Sequence, residues 1–64
     1  MKIKNNHLRI IFGLKVKQLR QAKGLSFKQM SEASSMSISY LNEIEKGKKS
    51  PKVDKIETLA AALG

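Results

Sequence analysis

Residues 25–51 read LSFKQMSEASSMSISYLNEIEKGKKSP, from Leu25 to Pro51, and the rest of the chain is organised around them. Ser26-Phe27-Lys28-Gln29 has the S-x-x-Q form of a capping box. In such a box the Ser side chain accepts from the third backbone N–H and the Gln side chain returns to the cap. That starts a helix of about two turns, ending near Ser34, with Met30 and Ala33 inward. Ser34-Ser35-Met36 forms a tight turn, and Ser37 is an N-cap for the next helix. This helix spans roughly Ile38 to Lys46, and Gly47 closes it in a left-handed conformation. Lys48-Lys49-Ser50-Pro51 is an exposed basic exit.

Upstream, Leu8, Ile11, Phe12, Val16 and Leu19 fit one helical stripe between His7 and Lys23. Arg9, Lys15, Lys17, Gln18 and Gln21 fall on the other face, and Gly24 sits where the helix must end. Downstream, Ser50 reads as a cap and Pro51 as first-turn residue of a last helix. That helix runs to about Leu63, with Val53, Ile56, Leu59, Ala60 and Leu63 inward. With no strand signal and short connections, the fold class is all-α, a compact bundle of short helices. Residues 1–6, MKIKNN, read as a flexible basic N-terminus, and residues 7–64 as a single domain.

Composition narrows the function. The chain has 64 residues, one histidine and no cysteine. Thiolate metal sites, disulfides and a cysteine nucleophile are thereby excluded. His7 has no second soft ligand and no relay to a serine, so no catalytic or metal residue is expected, and no cofactor. The glycines are dispersed, with no phosphate-cradling loop. No apolar run approaches the ~20 residues of a membrane span. The apolar group Ile10 to Leu14 is too short, and too interrupted by Lys, for a signal peptide. The chain carries 13 Lys and Arg against 5 Asp and Glu, a net charge of +8. The first acid is Glu32, so the N-terminal half is wholly basic. A polyanion is the natural partner, nucleic acid before membrane, with a merely solubilising surface as the competing reading.

The third helix carries the rest. With Leu41 at zero on a helical wheel, Ile44 lies beside it and the outward direction falls near about 150°. Ser39 (about 160°), Lys46 (about 140°), Glu43 (about 200°) and Asn42 (about 100°) face outward. Ile38 and Tyr40 lie on the flanks, and Glu45 faces the buried side, which demands a partner. Asn pairs bidentately with adenine, Ser with several base edges, and an aliphatic flank with the thymine methyl. Glu can accept from cytosine N4, although a carboxylate among phosphates more often selects against ligands or serves structure. Lys48 and Lys49 meet phosphate as point charges without reading sequence.

These segments resemble the phage repressor and Cro class of helix-turn-helix proteins, the Xre-like family. The carrying residues are KQLRQAKGLS from Lys17, MSEA from Met30, SISYLNEIEKGK from Ser37, then Pro51 and IETLAAALG from Ile56. The match is ungapped over about residues 12–64. The resemblance implies a lambda repressor-like bundle of four or five helices, helices two and three forming the helix-turn-helix. It implies base contacts from Ser37, Ile38, Ser39, Asn42 and Glu43. It implies backbone contacts from Phe27, Lys28, Tyr40, Lys46, Lys48 and Lys49, and an internal salt bridge between Arg20 and Glu45. The implied function is a double-stranded DNA-binding transcriptional regulator, a repressor, cytoplasmic in a bacterium. It would bind as a homodimer on a pseudo-palindromic site with half-sites ~34 Å apart.

Three positions depart from the family pattern. Phe27 stands in place of the usual glutamine, Ser35 in place of the turn glycine, and Ser31 in place of a small apolar residue. Family members often continue past the fourth helix into a fifth helix, a dimerisation region or a sensor domain. An alternative use of the same fold is an antitoxin or bridging module whose partner is a protein, which an exposed patch at Ile10, Leu14 and Tyr40 would favour. A membrane-surface helix over residues 2–23 is disfavoured, because the core needs that stripe.

Overall fold

A computed structural model describes residues 6–64. Four helices follow one another: α1 (Asn6–Ala22), α2 (Phe27–Ser34), α3 (Ile38–Glu45) and α4 (Val53–Leu63). No β-strand forms among the described residues. The expected flexible N-terminus lies outside them except for Asn6, which already belongs to α1.

The ends of the helices follow their local chemistry. Leu25 N–H donates to Arg20 O (3.0 Å) and Gly24 N–H to Gln21 O (2.9 Å), and Gly24 has φ +68°. That is a Schellman closure, and α3 repeats it. Lys48 N–H donates to Glu43 O (2.9 Å), Gly47 N–H to Ile44 O (3.0 Å), and Gly47 has φ +77°. The capping box is complete at α2: Gln29 N–H donates to Ser26 Oγ (3.1 Å), and Ser26 N–H to Gln29 Oε1 (2.8 Å). Ser35, which stands in place of the family's turn glycine, takes a left-handed conformation at φ 58° and ψ 29°.

The core is built by Val16, Met30, Met36, Leu41, Ile44, Leu59 and Leu63. Phe12, Leu25, Phe27, Tyr40 and Ala62 pack against it. In α1 the expected stripe holds at Phe12 and Val16 but is out of phase at its other three positions. Leu8, Ile11 and Leu19 are exposed, and the face turned inward is Arg9, Phe12, Gly13, Val16 and Arg20. The reason is a close approach of α1 to α3. A Cβ at Gly13 would stand 2.2 Å from Ile44 O and 2.9 Å from Glu45 O. Only glycine fits there, so the helix rotates to present it.

Other expectations are corrected in the same way. Ala33 is exposed, and Ser34 is buried in its place because its hydroxyl donates back to Met30 O (2.7 Å). Val53 and Ala60 are exposed on α4. Ser50 does not cap α4, which begins after Lys52 with no side-chain cap. Its hydroxyl instead accepts from Arg9 Nη1 (3.0 Å). Pro51 lies before the helix and is fully buried.

Candidate nucleic-acid interface

Two main-chain clasps set the angle of α3. Ser31 Oγ donates to Met36 O (2.5 Å), and Met36 N–H donates to Ser34 Oγ (3.3 Å). The turn between α2 and α3 is therefore held by serine hydroxyls on backbone atoms, with Met36 buried beneath it. Ser31, which stands where the family has a small apolar residue, thus reaches across the turn with its hydroxyl. Ser37 then caps α3, its Oγ accepting from Tyr40 N–H (3.1 Å).

Arg20 ties the unit to α1. Its Nε donates to Glu45 Oε2 (2.6 Å), Nη2 to Glu45 Oε1 (3.2 Å) and Nη1 to Leu25 O (2.7 Å). The guanidinium lies over the Phe27 ring, 4.2 Å from its centroid. The two charged side chains are only 11% and 6% exposed. Such a pair persists because every charge is paired in good geometry. The hydrogen bond to Glu45 raises the Arg20 pKa from its ordinary value, against the lowering effect of burial and with help from the Glu45 charge. The salt bridge expected between Arg20 and Glu45 is thus formed, and it accounts for the inward carboxylate.

Leu41 and Ile44 are buried, so the opposite face of α3 is free. Ser37, Ile38 and Ser39 are exposed at its N-terminal end, while Asn42 and Glu43 are half-exposed further along. Lys28, Lys46, Lys48 and Lys49 are exposed around this face. Glu43 Oε1 stands 3.8 Å from Lys49 Nζ, both about half exposed, a weak screened pair. Phe27 and Tyr40 are turned toward the core. Burial, with a smaller contribution from Asp54, pushes the Tyr40 phenol above its ordinary pKa.

Sequence reasoning missed Arg9. It was placed on the outer face, yet it is half-buried and holds Ser50 in the basic exit loop. Its only signal is a spacing of 11 residues from Arg20, three helical turns along the same face.

Residues 11–64 match the family described as the helix-turn-helix domain. The chain belongs to that helix-turn-helix family. Among solved structures, the domain is similar to the restriction-modification controller protein C.AhdI from Aeromonas hydrophila. The two are 34% identical with a TM-score of 0.83, covering 86% of this chain and 83% of that one. It is also similar to the clp gene regulator ClgR from C. glutamicum, at 33% identity and a TM-score of 0.87, over 89% of this chain and 73% of that one. No curated protein matches it. In this helix-turn-helix domain α2 and α3 are the paired helices, and the four-helix all-α architecture agrees with the one expected.

Proposed function

We propose that the domain is a sequence-specific regulator of transcription that binds double-stranded DNA with α3 in the major groove. The observation that carries this reading is the outward face of α3: small polar side chains, exposed, on a helix locked by its buried side and ringed by lysines. The similarity to a controller protein and a gene regulator supports it. Ser37, Ile38, Ser39, Asn42 and Glu43 face base edges. Lys28, Lys46, Lys48 and Lys49 meet phosphates, and Phe27 and Tyr40 flank the backbone track. Repression, a homodimer on a pseudo-palindromic site and a cytoplasmic location complete the proposal.

The test starts from sequences selected out of a random duplex library. Asn42→Ala relaxes preference at one base position, while Lys48→Ala weakens all sequences alike and reduces the salt slope by about 0.9. Uniform loss in both variants removes Asn42 from base reading. A second reading, an antitoxin or bridging module, is favoured by one observation: of the expected patch Ile10 and Leu14 are each 49% exposed, while Tyr40 is half-buried against the core.

A further inference from the structure

Most of the exposed large aliphatic side chains of this domain lie on one helix. Leu8, Ile10, Ile11, Leu14 and Leu19 of α1 are between 39% and 54% exposed. The core does not use Ile10, Ile11 or Leu14, because the Gly13 contact with α3 has turned α1 so that Arg9, Phe12, Gly13 and Val16 face inward. Ile10 and Leu14 are one turn apart and form a row, and Ile11 lies beside them. Each row then runs into a lysine: Ile11 is followed one turn on by Lys15, and Leu14 by Lys17. Both lysines are exposed. Every charged residue of α1 is basic: Arg9, Lys15, Lys17 and Arg20.

We infer that this ridge docks an acidic amphipathic helix of a partner protein, with two aliphatic anchors in the row of Ile10, Ile11 and Leu14 and carboxylates on Lys15 and Lys17. Charge chooses among the occupants. A second copy packing through α1 brings no carboxylate from that helix to meet Lys15 and Lys17, so like charges face one another. Its apolar contribution, on the order of 300 Å² from three half-exposed aliphatics, is well short of the ~800 Å² per partner of a stable dimer. An anionic bilayer matches the lysines, but Ile10 to Leu14 spans only about 6 Å of helix, and Leu8 and Leu19 project more than about 100° away from Leu14. A surface-lying membrane helix needs a long apolar face, and the longer stripe through Phe12 and Val16 is already committed to the core. A partner helix needs only anchors one turn apart.

The inference deepens the interaction-module reading and rests on it; it does not rest on the DNA reading. It is tested on the whole chain with two synthetic helical peptides. Both carry leucines at helical i, i+4 and i+7 positions; one is flanked by glutamates and the other by lysines. Fluorescence anisotropy shows the acidic peptide binding with an affinity that falls as salt rises, and the basic peptide not binding. Ile11→Gln with Leu14→Gln weakens the acidic peptide by at least about tenfold. Lys15→Glu with Lys17→Glu reverses the preference. That second pair is on exposed side chains, so it decides the matter even where the first pair does not fold. Equal binding of both peptides, or none, overturns the inference. So does binding to anionic phospholipid vesicles tighter than to the acidic peptide, or self-association of the domain lost in the Ile11 and Leu14 variant. An uncharged or basic partner found on this ridge overturns the acidic assignment but leaves the interaction-module reading standing.

Discussion

Replacing Gly13 by alanine sets two effects of known size against each other. In a helix interior alanine is better than glycine by about 1 kcal/mol, so secondary-structure preference alone makes Gly13→Ala stabilising. The structure makes it destabilising. The added Cβ would lie 2.2 Å from Ile44 O and 2.9 Å from Glu45 O, both backbone atoms that cannot swing away. Restoring an ordinary contact of 3.4 Å to Ile44 O requires α1 and α3 to part by about 1.2 Å. A gap of that order forfeits about half of each dispersion contact along the seam. It also pulls Arg20 from Glu45, which it meets at 2.6 Å across the same seam. Overpacking by one methyl costs about 1–3 kcal/mol before any loss from that pair. The net loss expected is about 3 kcal/mol, against a total of only about 3–10 kcal/mol for a domain this small. Urea unfolding followed by circular dichroism reads it as a lowered midpoint with an unchanged slope. Gly24→Ala is the control: at φ +68° with nothing within 4 Å of an added Cβ, it loses only the left-handed strain, about 1 kcal/mol. A Gly13→Ala domain as stable as the parent, or more so, refutes the close approach of α1 to α3.

Three further outcomes follow from particular residues. Ser35→Gly relieves the strain at φ 58° and raises stability by about 0.5–1 kcal/mol, a rise of several degrees in Tm, after allowing for the flexibility glycine adds to the unfolded chain; no rise means that Ser35 is unstrained. Glu45→Ala strands the buried Arg20 guanidinium and costs about 3 kcal/mol, and replacing Arg20 by methionine in the same chain recovers much of it; a loss of under about 1 kcal/mol in the single variant counts against a buried pair. Tyr40 is the single tyrosine, so tyrosinate absorbance reports it alone. Burial first, and then the Asp54 charge, raise its pKa above the ordinary 10.0. The protonated phenol is therefore favoured by folding. The stability this gives is complete below the ordinary value and is lost as pH rises through the higher folded value. A native titration midpoint at or below that of the urea-unfolded chain contradicts this placement.

What was legible in the sequence divides by range. Ser26, Gln29, Ser37, Gly24, Gly47 and Ser35 could be read because each acts on backbone groups within a few residues. The Arg20 and Glu45 pair was reached through a resemblance, together with a carboxylate on the wrong side of a wheel. The phase of α1 was not legible. Apolar residues crowd Leu8 to Leu19 so densely that several stripes fit, and the true one contains two arginines and a glycine. Those residues count as surface or interruption when scored alone. Their inward placement depends on backbone atoms of α3, about thirty residues away, which no local pattern encodes. Arg9 and Ser50 are hidden for the same reason, and so is the burial of Pro51.

Under the proposed DNA-binding role, the two faces of α3 give its recognition chemistry an unusual freedom to drift. Leu41, Ile44 and Glu45 hold the helix, while the side chains of Ser39 and Asn42 make no hydrogen bond among the described residues. On that proposal, lineages descending from such a domain can exchange those two residues and acquire new target preferences without first repairing a weakened fold. Ser37 is the exception: its oxygen already closes the helix on Tyr40 N–H, so substituents lacking a cap oxygen change preference and foldedness together. Adaptation to new binding sites is therefore easiest in the middle of α3 and slowest at its N-cap, Ser37.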